Sequence, residues 1–200
     1  MGFTKKPALD FGCGPGFFVD QLSAAGWDAE GADVAVDANL TKIETPHFKR
    51  PIHHASSLPL PISAGFYSQI FLIEVLEHLD EGHLESVLKE VSRLGDPQNC
   101  NIVITTPNAE RLDDSIFSCP HCGQAFHRWQ HVRSFNRSTL CQLMENHGWE
   151  TIRCEELNWD RPARTIKHFL RKVLFLEEKS KVKPHLFYAG RIRARRRVHQ

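Results

Sequence analysis

Two hundred residues suffice for one domain with a full core, and 41% aliphatic and aromatic against 24% charged residues excludes a disordered or fibrous chain. Lys and Arg number 25 and Asp and Glu 24, so a net charge of +1 excludes a general attraction to nucleic acid, and no apolar run reaches membrane-spanning length. No signal peptide opens the chain and the six cysteines are scattered apart from one C-x-x-C pair, which excludes a disulfide framework and points to a reducing cytoplasm.

Pro7 to Phe11 is a short apolar run and reads as a buried strand. A glycine-rich turn follows, then a helical pattern from Phe18 to Ala25. Trp27 to Val34 reads as a second strand, with Asp33 at its end, and Pro51 to His54 as a short third. Tyr67 to Ile73 is almost continuous in apolar residues, as a strand covered on both faces should be. Leu84, Val87, Leu88, Val91 and Leu94 recur at helical spacing within His83 to Leu94. Asn101 to Thr106 is a fifth strand, stopped by Pro107. Ser138 to His147 is a helix ended by Gly148, Thr165 to Phe175 another, and Trp149 to Cys154 and His185 to Ile192 are the last strands. From Lys179 onward there are eight Lys or Arg and no Asp or Glu. That basic tail reads as a solvated end, with contact to RNA or an acidic surface as the alternative.

Strands alternating with helices predict an α/β doubly wound sheet over residues 1–200, with a small insert at 117–135 and the last strand and basic tail at 179–200. Strand, glycine turn and helix together hold a nucleotide-like ligand at the carboxyl edge of such a sheet. A dinucleotide fold wants G-x-G-x-x-G, but Phe17 stands where its third glycine would be, which disfavours a nicotinamide cofactor. Asp10-Phe11-Gly12-Cys13-Gly14-Pro15-Gly16 resembles the first motif of class I S-adenosylmethionine-dependent methyltransferases. The resemblance implies a Rossmann-like sheet of seven mostly parallel strands, the last inserted antiparallel. It also implies S-adenosylmethionine held by Asp10, Gly12, Cys13, Gly14, Gly16, Asp33 and Val34, with Asp33 on the ribose hydroxyls. Ser56-Ser57-Leu58-Pro59 resembles the segment that flanks the adenine, although the family's acidic residue there is missing. The family usually has a helical segment before its first strand; here six residues precede Pro7.

Glu74-Val75-Leu76-Glu77-His78-Leu79 follows the fourth strand and resembles the "EVLEHL" signature of the same family. Carboxylates beside an imidazole suit Mg²⁺, Mn²⁺ or Zn²⁺; the alternative is that Glu77 and His78 only brace the loop. Thr105-Thr106-Pro107-Asn108 and the His131 segment are similar to small-RNA and ubiquinone-pathway O-methyltransferases. In the former, E-x-x-E-H and a later histidine hold a divalent ion, which makes Glu77 and His78 the expected catalytic residues. By the same resemblance Glu74, Glu77 and His78 are the expected holders of Mg²⁺ or Mn²⁺, with His131 a further ligand, and Glu74 is also an expected cofactor contact. Cys119-Pro120-His121-Cys122-Gly123 reads as a zinc knuckle, and Cys119, Cys122, His127 and His131 would complete a structural Cys₂His₂ zinc site. His131 is claimed by both sites. The expected activity is methyl transfer to an oxygen of a small molecule, sugar or lipid precursor; the alternative is a non-catalytic zinc-stapled binding or interaction module.

Overall fold

The computed structural model describes residues 7–35, 52–158 and 184–193. The parallel strands are β1 (Pro7–Phe11), β2 (Asp28–Asp33), β3 (Ile52–His54), β4 (Gln69–Ile73) and β5 (Asn101–Pro107), with β8 (Trp149–Leu157) and β9 (His185–Ile192) later in the chain. They form one seven-stranded sheet in the order β3-β2-β1-β4-β5-β9-β8. β9 is antiparallel to both β5 and β8, so it is the one reversed strand, as the sequence predicts. The expected helix at Thr165 to Phe175 and the tail beyond Arg193 lie outside the described residues.

The helices follow from local chemistry. α1 (Phe17–Ala24) begins at Gly16 in the left-handed region, and no side chain caps it. α2 (Glu81–Leu94) begins at Asp80, whose carboxylate accepts from the His83 backbone N–H at 2.9 Å. Its Leu84, Val87, Leu88, Val91 and Leu94 are buried in the main core with Leu9, Ile70, Leu72, Ile102 and Ile104 of the sheet. α3 (Arg137–Asn146) opens on a reciprocal cap between Asn136 and Thr139. Trp149, fully buried, donates from Nε1 to Ser92 Oγ at 3.0 Å.

α2 also fixes the segment before β4. Glu90, buried, accepts from the Leu60 backbone N–H at 2.8 Å. Arg93 is paired with Glu90 at 2.6 Å and donates to the carbonyls of Ile62 and Leu60 at 2.8 and 3.1 Å. A buried carboxylate with a guanidinium and a backbone donor satisfied is stable where an unpaired one would not be. No helix among the described residues is long and apolar enough to cross a membrane.

The sequence reading missed a small hairpin, β6 (Ile116–Ser118) with β7 (Ala125–His127), which carries the C-x-x-C pair at its tip. Strands of three residues are too short to show a period of two.

Candidate active site

The carboxyl ends of β1 to β5 share one edge, and the ligand-binding residues named from the sequence lie at or just past them. The order reverses between β1 and β4, which places the crevice between the glycine turn and the loop after β4. Gly12 has φ +85°, and a Cβ there would lie 2.4 Å from Val75 Cγ2, so the turn presses against that loop. A Cβ on Gly14, φ +51°, would meet nothing within 4 Å. That open position lets a ligand reach the backbone.

Asp33 holds the turn: one carboxylate oxygen accepts from Gly14 N–H and the other from Ala35 N–H, each at 2.7 Å. Each oxygen keeps a lone pair for a further donor. Asp10 is buried, and burial first, then the charge of Asp33, pushes its carboxyl up to about 7. Val34, at 67% exposure, and Phe17, at 74%, are apolar side chains left open at this edge. Ser56 and Ser57 are exposed just past β3, beside Asp33. Cys13 faces away: its thiol packs where a Gly31 Cβ would be, and its N–H bonds Ala32 O at 3.1 Å.

Past β4, Glu77 is almost fully buried. Its Oε2 accepts from Thr106 Oγ1 at 3.0 Å, and its Oε1 is buried with no hydrogen-bond partner among the described residues. Burial, then the neighbouring Glu74 carboxylate, pushes Glu77 up to about 8. Burial and His131 hold His78 below the usual imidazole range. The rings of His78 and His131 stand 4.9 Å apart edge to face, and those of His131 and His127 4.8 Å apart stacked. Ligand atoms of Glu77, His78 and His131 all lie within 4.8 Å of one another, as do those of Glu110, His127 and His131.

Tautomers choose between these two clusters. His127 Nδ1 accepts from the backbone N–H groups of Trp129 and His131 at 3.3 and 3.1 Å, so its proton sits on Nε2. A protonated nitrogen has no lone pair for an ion, and the Glu110–His127–His131 cluster fits one poorly. His131 Nδ1 lies 2.5 Å from Glu110 Oε2 and must carry the proton, which leaves its Nε2 free. Glu77, His78 and His131 fit an ion: the orphaned Glu77 oxygen gains a partner, and the crowding of Glu77 with Glu74 is relieved. One carboxylate and two imidazoles suit Mn²⁺, Fe²⁺, Co²⁺ or Zn²⁺ better than Mg²⁺.

Comparison with known proteins gives the family and the fold. Residues 2–153 match a family described as a methyltransferase domain. The chain belongs to that methyltransferase family. No curated protein matches it. Among solved structures, an S-adenosylmethionine-dependent methyltransferase from Methanosarcina mazei has a TM-score of 0.66 at 14% identity, covering 96% of this chain and 95% of that one. A putative methyltransferase complex with the Trm112 activator from Haloferax volcanii gives 0.62 at 13% identity, with 94% and 83% covered. The Burkholderia thailandensis 1,6-didemethyltoxoflavin N1-methyltransferase, solved with its substrate and S-adenosylhomocysteine, gives 0.61 at 12%, with 94% and 71% covered. At these identities the likeness is one of fold.

The Cys₂His₂ set expected from the spacing is not brought together in this methyltransferase. His127 pairs with Ile116 at the base of the hairpin, whereas Cys119 and Cys122 lie in its tip, closed by Cys119 N–H to Gln124 O at 2.8 Å. Three register steps at ~3.3 Å each separate tip from base. His131 therefore goes to the Glu77–His78 side. Backbone hydrogen bonds from Cys122 and His121 hold the Cys119 thiol below its ordinary range. Sequence reasoning also missed Glu110, an acidic loop residue two positions past the Thr105-Thr106-Pro107-Asn108 motif, which was the one signal near it.

Proposed function

We propose that this methyltransferase takes its methyl group from S-adenosylmethionine and passes it to a hydroxyl oxygen of a small molecule. The observation that carries the oxygen acceptor is the buried, unpartnered Glu77 Oε1 beside His78 and His131. A divalent ion at these three residues would lower the pKa of an acceptor hydroxyl.

The other residues position the two reactants. Gly12, Gly14 and Gly16 present backbone to the cofactor, and the uncapped start of α1 offers N–H groups to its carboxylate. Asp33 accepts from the ribose hydroxyls while it keeps its bonds to Gly14 and Ala35. Asp10 lies toward the methionine amino group, and Val34 with Ser56 and Ser57 borders the adenine. Cys13 serves through packing behind the turn. His78, exposed and held as a neutral imidazole, offers its one lone pair to the divalent ion, and with no ion bound the same lone pair would take the hydroxyl proton. Vicinal hydroxyls, as in a catechol or a sugar, are the acceptor class that an ion held by Glu77, His78 and His131 would take. Cys119 and Cys122 bind a structural zinc at the hairpin tip, with its other two donors drawn from outside the Glu110–His127–His131 group.

The test is one variant measured twice. Glu77→Ala should lose Mn²⁺ binding, read by electron paramagnetic resonance, and lose methylation of a catechol probe. Its affinity for S-adenosylhomocysteine by calorimetry should stay within about threefold, since the ion serves the acceptor and not the adenosine. Full methylation in excess chelator would overturn the ion, and wild-type protein that binds no S-adenosylhomocysteine would overturn the whole reading.

A further inference from the structure

We propose that Glu110 is a positioning residue that fixes the tautomer of His131 and thereby makes His131 a ligand for an ion or a proton acceptor at Glu77 and His78. The inference rests on the reading of that cluster above and adds a residue which no motif marks.

The hydrogen-bond pattern carries it. Glu110 Oε2 lies 2.5 Å from His131 Nδ1, and a carboxylate accepts, so the imidazole N–H is at Nδ1. Nε2 is then the only ring nitrogen left with a lone pair for the Glu77 and His78 side. A free histidine has no such constraint, and a metal-ligating one almost always donates its other nitrogen to a carboxylate or carbonyl. The other Glu110 oxygen faces His127 Nε2 at 3.6 Å, the protonated nitrogen of a ring whose Nδ1 is tied to two backbone N–H groups. Glu110 thus accepts from one imidazole, His131, faces the buried and unpartnered Nε2 of a second, His127, and, at 19% side-chain exposure, is largely shielded from water.

The backbone points the same way. Only three non-glycine residues among those described have positive φ: Glu74 at +54°, Ala109 at +49° and Gln130 at +61°. Ala109 directly precedes Glu110, and Gln130 directly precedes His131. Each half of the hydrogen bond therefore leaves a residue in the left-handed region, which costs about 1–2 kcal/mol for an L-residue. Such strain persists where surrounding contacts over-determine it and is found at functional sites. Here those contacts are Ala109 N–H to Phe135 O at 2.7 Å and Gln130 N–H to His127 O at 2.9 Å. Val132 N–H to Glu77 O, also at 2.9 Å, ties the far side of His131 to the loop after β4.

The tautomer itself is the readout. In ¹⁵N-labelled full-length protein without metal, His131 should show the Nδ1–H form, whereas an unconstrained imidazole favours Nε2–H. Glu110→Ala should shift His131 toward Nε2–H and weaken Mn²⁺ binding about 10- to 100-fold. Affinity for S-adenosylhomocysteine should not change, which also shows that the variant folds. Glu110→Gln keeps the shape and one acceptor and should retain the Nδ1–H form with a smaller loss of Mn²⁺ affinity. An Nε2–H tautomer in wild type, or an unaltered tautomer in Glu110→Ala, overturns the proposal. If wild type binds no Mn²⁺ but its tautomer still depends on Glu110, the ion reading fails and the positioning role stands.

Discussion

Both sides of the crevice need backbone in the left-handed region, and they obtain it in opposite ways. The cofactor turn places glycines there: Gly12, Gly14 and Gly16 all have positive φ. The side past β4 and β5 places Glu74, Ala109 and Gln130 there. Glycine adopts this conformation without steric cost, so the turn is held by local sequence. Glutamate, alanine and glutamine do not, so that side is held by tertiary bonds acting against local preference. One side is a preformed cradle; the other is a tensioned assembly built from β4, the chain after β5 and the hairpin base.

The largest expected effect concerns the buried charge behind the cradle. Asp10 titrates near 7 in the fold and near 3.9 when unfolded. Its neutral form is favoured by folding, so that contribution is complete below pH 4 and is lost as pH rises through 7. The loss is on the order of 4 kcal/mol. Glu77, pushed up to about 8, adds a loss of the same sign over the same range. In denaturant titrations of cofactor-free protein from pH 4 to 8, Asp10→Asn should therefore make the profile shallower without flattening it; equal slopes would remove Asp10 as a cause.

Next is the cradle itself. Gly12→Ala meets Val75 and the left-handed penalty together and should destabilise by about 3 kcal/mol, a fall in Tm of about 6–12 °C. It should also weaken S-adenosylhomocysteine. On the tensioned side the sign reverses. Ala109→Gly relieves strain and should raise stability by about 0.5–1 kcal/mol in thermal melts, less what glycine costs the unfolded chain. A destabilised Ala109→Gly would mean that Ala109 is not strained as its φ implies. The smallest effect is at the hairpin tip. Cys119→Ser should leave Mn²⁺ affinity unchanged, while zinc content by elemental analysis should fall; a parallel fall in Mn²⁺ affinity would rejoin the tip to the His131 site.

The same contrast explains what the sequence disclosed. β1 and β9 lie where their apolar runs predict, and the order of the sheet follows from alternation and the family resemblance. The glycine turn and Asp33 were legible because their chemistry is local: glycine for positive φ, a carboxylate at a strand end. Glu77, His78 and His131 were legible as a motif and a lone histidine, but their grouping depends on how the segment from Gln130 to Val132 returns to the β4 loop. The spacing of His127 and His131 did predict that they meet. It could not show that the hairpin carries Cys119 and Cys122 away from them, because separation along a hairpin depends on register. Glu110 had no signal of its own, since an acidic residue in a loop looks the same whether it faces water or two imidazoles.

The hairpin closes at its base, where Ile116 pairs with His127 and Glu110 meets His131. The excursion between them therefore contributes little to the constraints on Glu77, His78 and His131. Doubling the length of a flexible loop costs only about 0.6 kcal/mol of closure entropy. Insertions between Cys119 and Gln124 should thus be tolerated far better than any change at Ala109 or Gln130. The tip is the part of this edge free to diversify by changes in length and composition while Glu77, His78 and His131 stay in place.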